Sequence, residues 1–138
     1  MESIIVKSSI NSPVSKVWEM WTSPEHIVKW NSPSPDWHTP HAQNELQAGG
    51  NFLFRMEATD GSNGFDFEGT YDEIVKYRLI SYTLEDGRKA HVSFTESKGK
   101  TEITETFDGE QINSKDMQKA GWQAILNNFK TYTENNGQ

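Results

Sequence analysis

The chain has 138 residues, of which 33% are hydrophobic and 12% aromatic, and it contains no cysteine. This length fits one domain of ordinary size, and the absence of cysteine excludes disulfides, thiolate zinc sites and cysteine nucleophiles. The formal net charge of −7 argues against a nucleic-acid partner, because binding to a phosphate backbone requires clustered lysine and arginine side chains.

The N-terminal residues predict neither a signal peptide nor a membrane anchor. Their apolar run, from Ile4 to Val6, is too short for the hydrophobic region of a signal peptide. No window of the sequence approaches the length of a transmembrane helix. We therefore expect a single cytoplasmic domain over residues 1–138, without a membrane span.

The first elements predicted along the chain are one strand and two helices. Ser3–Ile10 has the pattern of a strand, and Pro13 then begins a helix with Ser12 as its N-cap. This helix ends near Thr22, and one face of it is apolar through Val14, Val17, Trp18 and Trp21. A second, short helix begins at Pro24 and ends before the prolines that follow.

The segment from Asn31 to His41 contains three prolines and predicts a loop. It carries Trp37, His38 and His41, which would form a lid over a ligand site, with imidazole groups that orient a polar end. The alternative is that these are half-exposed loop residues and that Trp37 anchors the loop to the body of the domain. A His-x-x-His pair in such a loop lacks the spacing of a helical zinc motif, so we expect no metal site.

From Glu45 onward the apolar residues recur with period two, which predicts strands joined by short turns. Five strands follow in immediate succession, and neighbours of this kind pair antiparallel. They are centred on Phe52–Met56, Phe65–Tyr71, Leu79–Leu84, Ala90–Glu96 and Thr101–Phe107.

The last predicted element is a helix from Ser114, its N-cap, to about Thr133. Twenty residues make a helix about 30 Å long, and only the concave face of the sheet can cover its apolar stripe. The sequence thus predicts an α+β helix-grip fold of order β-α-α-β-β-β-β-β-α, in which a curved antiparallel sheet wraps around a long C-terminal helix. The stripe comprises Met117, Ala120, Gly121, Ala124, Ile125, Leu126, Phe129 and Tyr132.

Five phrases of the sequence carry a family resemblance. They are SPVSKVW (12–18), SPEHIVKW (23–30), LQAGGNF (46–52), FEGTYDEI (67–74) and Gly121-Trp122. With the order of elements, they resemble the activator of heat-shock-protein-90 ATPase homologue-like proteins, a branch of the START/Bet v 1-like (SRPBCC) superfamily. The resemblance implies a cavity for a small hydrophobic molecule between the sheet and the long helix. It also implies a second possibility, a regulator of a stress ATPase.

Strand alternation places a set of mostly aromatic side chains where such a cavity would lie. The alternative is that they pack as an ordinary filled core. The candidates from the strands are Phe52, Phe54, Met56, Phe65, Phe67, Tyr71, Phe94, Ile103 and Glu105, opposed by Trp122, Ile125 and Phe129 of the helix and by Trp30, Trp37, His38 and His41.

Glu105 shares a strand face with Ile103 and Phe107, so its carboxyl group is expected to point inward, where burial raises a pKa. The alternative is that Glu105 lies on a strand near the sheet edge, or that its carboxyl group pairs with a side chain such as Arg78 or Lys76. No nucleophile elbow, phosphate loop or dinucleotide fingerprint is present, and we expect no catalytic residue and no cofactor.

The leading hypothesis is a monomer that binds a small hydrophobic or amphipathic ligand. The alternatives are a regulator of a stress ATPase or of another protein partner, and an enzyme acting on an aromatic or polycyclic compound through Tyr71, Tyr82 or Glu105.

Overall fold

The computed structural model describes residues 3–136, which form seven β-strands and three α-helices. The α+β helix-grip fold is confirmed. In chain order the elements are β1 Ser3–Ile10, α1 Val14–Thr22, α2 Pro24–Trp30, β2 Trp37–Asn44, β3 Asn51–Ala58, β4 Gly64–Val75, β5 Leu79–Leu84, β6 Lys89–Ser97, β7 Lys100–Asp108 and α3 Lys115–Asn135.

The seven strands form one antiparallel sheet in the spatial order β1-β7-β6-β5-β4-β3-β2. Strands β2 to β7 are a meander in which each strand pairs with the next along the chain. Strand β1 joins out of sequence, beside β7, and is one edge of the sheet. The sheet curls around α3, whose Trp122 contacts the rings of Phe67 on β4 and Phe107 on β7.

The prediction of a loop from Asn31 to His41 is wrong in its second half, because Trp37 begins β2, which pairs with β3. The observed order therefore has six strands after the two helices rather than five. Proline is tolerated here because β2 is an edge strand, where a missing N–H removes no necessary ladder hydrogen bond. Pro40 lies where the register with β3 shifts, between His38 and His41.

The starts of the helices agree with the sequence in two cases of three. Pro24 occupies the first turn of α2, and the Ser114 hydroxyl caps α3 by accepting a 3.1 Å hydrogen bond from the Met117 N–H. The prediction of Ser12 as the N-cap of α1 is wrong, since Pro13 holds that position. Ser12 is buried instead, and its carbonyl oxygen accepts a 2.8 Å hydrogen bond from the hydroxyl of Thr101 on β7.

The core lies between the concave face of the sheet and the helices, but α3 contributes to it unevenly. Leu126 and Phe129 in its second half are fully buried, whereas Met117 in its first half is 64% exposed. The predicted apolar stripe is therefore covered only along its second half, and the first half stands over an open end of the sheet. No helix within residues 3–136 combines the length and apolarity needed to cross a membrane.

Candidate functional site

A cavity of about 300 Å³ lies between the concave face of the sheet and the first half of α3. Apolar and aromatic side chains make up most of its wall. The main contributors are Phe52, Phe54 and Met56 of β3, Phe65, Phe67 and Tyr71 of β4, Ile80 and Tyr82 of β5, Trp21 and Trp30 of the short helices, and Trp122 and Ile125 of α3.

Two residues of α3 explain why this space is not filled. Trp122 stacks on Phe107 with ring centroids 3.7 Å apart and an angle of 10° between the planes, so its indole lies flat against the β7 side. Gly121 lines the cavity and has no side chain, and a Cβ atom built on it would meet no other atom within 4 Å. The first half of α3 therefore adds little volume to the space that it covers.

The aromatic wall is organised around Phe52 of β3, which is buried. Gly69 makes room for this ring, because a Cβ atom at that position would lie 3.0 Å from it and 2.6 Å from the Thr83 carbonyl oxygen. Four other rings lie with centroids 5.1 to 5.8 Å from that of Phe52, namely Phe54, Phe67, Tyr71 and Tyr82. Such ring pairs add to stability beyond the area that they bury.

Several polar atoms where β2 meets the short helices α1 and α2 satisfy one another. The side-chain amide of Asn44 donates a 2.7 Å hydrogen bond to the carbonyl oxygen of Thr22, and its oxygen accepts one from the Tyr71 hydroxyl. The Trp30 indole N–H donates to the carbonyl oxygen of Met20 at 3.0 Å. The Asn44 bond fixes the end of β2 to α1, and the Trp30 bond fixes α2 to α1. Burial raises the pKa of Tyr71 far above its ordinary value, so the phenol stays protonated.

The sheet side of the cavity carries a different group, the carboxyl of Glu105. This residue is 5% exposed and lies on β7 between Val6 of β1 and Val92 of β6. Burial raises its pKa from 4.5 to about 8. Neither Arg78 nor Lys76 contributes to this shift, and no lysine, arginine or histidine of the described chain lines the cavity.

The mouth of the cavity is framed by the segment that leads into α3. The Glu110 carboxylate accepts hydrogen bonds from the backbone and side-chain N–H groups of Asn113 at 2.7 and 2.8 Å. The Gln118 side chain accepts from the Glu110 N–H at 2.8 Å, which joins the segment to α3. Beside these groups, Ile112 is 90% exposed.

The structure brings together part of the set of residues proposed from sequence and separates the rest. Phe94, Ile103 and Phe129 are buried but do not reach the cavity: Phe94 packs on Trp18 and Trp21, and Phe129 packs on Trp21 and Trp30. Those that line the cavity are Trp30, Phe52, Phe54, Met56, Phe65, Phe67, Tyr71, Glu105, Trp122 and Ile125.

Trp37, His38 and His41 do not line the cavity, and they belong to the edge strand β2 rather than to a lid. Trp37 is half-buried and meets the Phe65 ring at 5.9 Å. His38 is exposed and lies 3.9 Å from the Glu57 carboxylate, and His41 is exposed. Within residues 3–136, no three His, Cys, Asp or Glu side chains are grouped so that they could hold a metal ion.

Asn44 and Thr22 line the cavity and were not predicted from sequence. The signal for Asn44 depends on β2: once that strand is recognised, its pairing with Phe52 places both on one face. Thr22 has no comparable signal, since it contributes through the last turn of α1.

The model of one protein family, the activator of Hsp90 ATPase homolog 1-like proteins, matches residues 11–134. The chain belongs to this family. The resemblance carried by the sequence phrases is thereby confirmed. None of the curated proteins compared with the chain matches it.

Two solved structures are similar to this family member in sequence and fold. A solution structure from Aeromonas hydrophila, described as AHSA1-like, is 40% identical with a TM-score of 0.92 and covers 99% of this chain and 94% of its own. A solution structure from Cytophaga hutchinsonii is 50% identical with a TM-score of 0.84, and the match covers 97% of this chain and 93% of that one. A crystal structure from Chromobacterium violaceum, 18% identical with a TM-score of 0.87 over 97% and 99%, shares the fold.

Proposed function

We propose that this chain, as a single cytoplasmic domain, binds a small hydrophobic or amphipathic molecule in the cavity beneath α3. The observation that carries the proposal is the cavity of about 300 Å³ with its largely aromatic wall. An engineered protein cavity of roughly 150 Å³ holds one benzene molecule, so this one has room for about two rings. Apolar pockets with a few polar groups are where small ligands bind most often.

The affinity expected for such a ligand is moderate. At about 0.5 kcal/mol for each non-hydrogen atom, a ligand of about twelve atoms binds with about −6 kcal/mol. That free energy corresponds to a dissociation constant of a few tens of micromolar. Binding in this range is readily measured by NMR titration.

The test is a titration of the ¹⁵N-labelled protein with 2-acetylnaphthalene, followed by two-dimensional NMR. We expect saturable shifts at the residues around the cavity, and a loss of affinity of more than tenfold in Gly121→Leu, whose new side chain enters the cavity. Ala120→Leu is the matched control, because Ala120 is exposed on the same helix and does not line the cavity. Equal affinity of both variants for the ligand would contradict the proposal.

A protein partner, such as a stress ATPase, is the second candidate. Its support is the exposed apolar rim of the mouth, where Ile112 is 90%, Met117 64% and Phe65 46% exposed. Single exposed apolar residues are common, but Phe65 and Met117 line this cavity, and Ile112 lies between Glu110 and Asn113, which also line it. Ile112→Ser would weaken association with such a partner and leave the NMR shifts caused by 2-acetylnaphthalene unchanged. A loss of ligand shifts in this variant would assign Ile112 to the ligand site instead.

A further inference from the structure

Two polar groups on the sheet side of the cavity lack hydrogen-bond partners within residues 3–136: the carboxyl of Glu105 and the hydroxyl of Tyr82. Both residues are buried, with 5% and 8% exposure, and both line the cavity. Among the described side chains, one polar atom has neither accessible surface nor a hydrogen-bond partner, and it is the Thr133 hydroxyl oxygen. The oxygens of Glu105 and Tyr82 are therefore not sealed in the core but open to the cavity.

This pair differs from the other polar groups around the same space. The hydroxyl of Tyr71 and the indole N–H of Trp30 are both satisfied by protein atoms. Within the part of the chain that the structure describes, neither the Glu105 carboxyl nor the Tyr82 hydroxyl has such a protein partner, and both line the cavity. Both groups can therefore form hydrogen bonds to a molecule that occupies the cavity.

The positions of the two residues allow them to act on one atom. Tyr82 on β5 and Glu105 on β7 lie on the two sides of β6, where they are neighbours of Ala90 and Val92 respectively. Because the sheet is curled, side chains on its concave face converge. Their proximity is visible electrostatically, since burial and then the nearby Glu105 raise the pKa of Tyr82 well above its ordinary value.

The surroundings determine which form of the carboxyl is present. The titratable groups facing the pair are Tyr71 of β4, a neutral phenol, and Glu110 at the mouth. Arg88 beyond Tyr82 is bound to Asp86 at 2.7 Å and does not line the cavity. A carboxylate without a cation is costly in an apolar space, so the group is protonated at neutral pH. A protonated carboxyl and a phenol each offer an O–H donor.

We propose that Glu105 and Tyr82 form a donor pair that binds the carbonyl oxygen of a two-ring aromatic ketone or aldehyde. The inference rests on the proposed function and specifies its ligand class. The rings lie against the aromatic wall around Phe52, and the carbonyl group points toward β6. The two O–H groups share the lone pairs of one oxygen, and no protein hydrogen bond has to break.

The test compares 2-acetylnaphthalene with 2-isopropenylnaphthalene, in which a CH₂ group replaces the carbonyl oxygen without changing the shape. At pH 6.5 we expect the ketone to bind at least tenfold more tightly than the alkene. This preference should fall to less than about threefold in Tyr82→Phe and in Glu105→Leu. Tyr77→Phe and Glu102→Leu are the matched controls, since both residues are exposed and lie outside this cavity, and they should keep the preference.

The pH dependence separates the donor pair from a general polar effect. Raising the pH from 6.5 to 9.5 ionises Glu105, and the carboxylate then repels the carbonyl oxygen, so the wild-type preference should be lost. Glu105→Gln keeps an N–H donor that does not titrate, and it should retain the preference at both pH values. Well-dispersed ¹⁵N spectra of every variant establish that each is folded.

The outcomes distinguish the two proposals. Equal binding of ketone and alkene to the wild-type protein would overturn the donor pair and leave the hydrophobic binding site intact. A ketone preference that survives both Tyr82→Phe and Glu105→Leu would also overturn the pair. If neither compound binds to the wild-type protein, the proposed function fails for two-ring ligands, and the donor pair fails with it.

Discussion

Glu105 makes the stability of the fold depend on pH in a predictable direction. In the unfolded chain its carboxyl ionises at its ordinary pKa of 4.5, whereas burial in the folded chain raises the pKa to about 8. Between these values only the unfolded state loses the proton, so the free energy of unfolding falls as the pH rises. A pKa difference from 4.5 to about 8, at about 1.4 kcal/mol for each tenfold change, corresponds to about 5 kcal/mol.

Glu105→Gln removes this titration and should therefore change the pH profile rather than shift it uniformly. We expect the stability difference between Glu105→Gln and wild type to move in favour of the variant by about 3–5 kcal/mol between pH 4.5 and 8.5. Urea unfolding followed by tryptophan fluorescence at several pH values measures the difference directly. Wild-type stability at low pH should exceed that at high pH, where a loss of this size is a large part of the usual 5–15 kcal/mol.

The control for this experiment is Glu102→Gln on the same strand. Glu102 is exposed, and substituting it should displace the stability profile by less than about 0.5 kcal/mol at every pH. If the profiles of Glu105→Gln and wild type run parallel within about 1 kcal/mol from pH 4.5 to 8.5, Glu105 does not hold its proton through the fold. The argument for a protonated carboxyl in the cavity would then be wrong.

Four further substitutions follow from the contacts, and urea unfolding checks each. Asn44→Ala should cost about 1–3 kcal/mol, because it leaves the Tyr71 hydroxyl without its acceptor; a loss under 0.5 kcal/mol would show that water replaces it. Gly69→Ala should lower the free energy of unfolding by more than about 2 kcal/mol, since its Cβ atom would lie 2.6 Å from a β5 carbonyl oxygen. Gly121→Ala should leave that free energy unchanged or raise it by about 0.5–1 kcal/mol, because its Cβ atom would meet no other atom within 4 Å. Ser114→Ala should cost about 1 kcal/mol by removing the cap of α3, and no change would mean that the cap is dispensable.

The sequence predicted most strands because their two faces have different environments. In β7, alternation between buried and more exposed residues is regular, so the period is visible without knowledge of the neighbours. Strand β2 has no such alternation: it contains Pro40 and mostly polar residues, and it is an edge strand held through one neighbour. Its existence is determined by pairing with β3, which is a tertiary contact that local periodicity does not contain.

The division between core and cavity was less predictable than the fold. Alternation shows which side chains point to the concave face, but it does not show what covers them. Ile103 and Glu105 lie on the same face of β7, yet Ile103 is part of the packed core while Glu105 borders the cavity. The difference depends on the position along the strand relative to the helices. This information lies in the three-dimensional arrangement and not in the pattern.

The two halves of α3 likewise differ in what they contribute to the core. In its second half, Leu126 and Phe129 have no exposed surface, and Phe129 packs against the rings of Trp21 and Trp30. In its first half, Gly121 borders empty space and Met117 is 64% exposed, so these two positions contribute little to the packed core. We therefore expect that the side chains at these two positions can vary without loss of the core on which the fold depends.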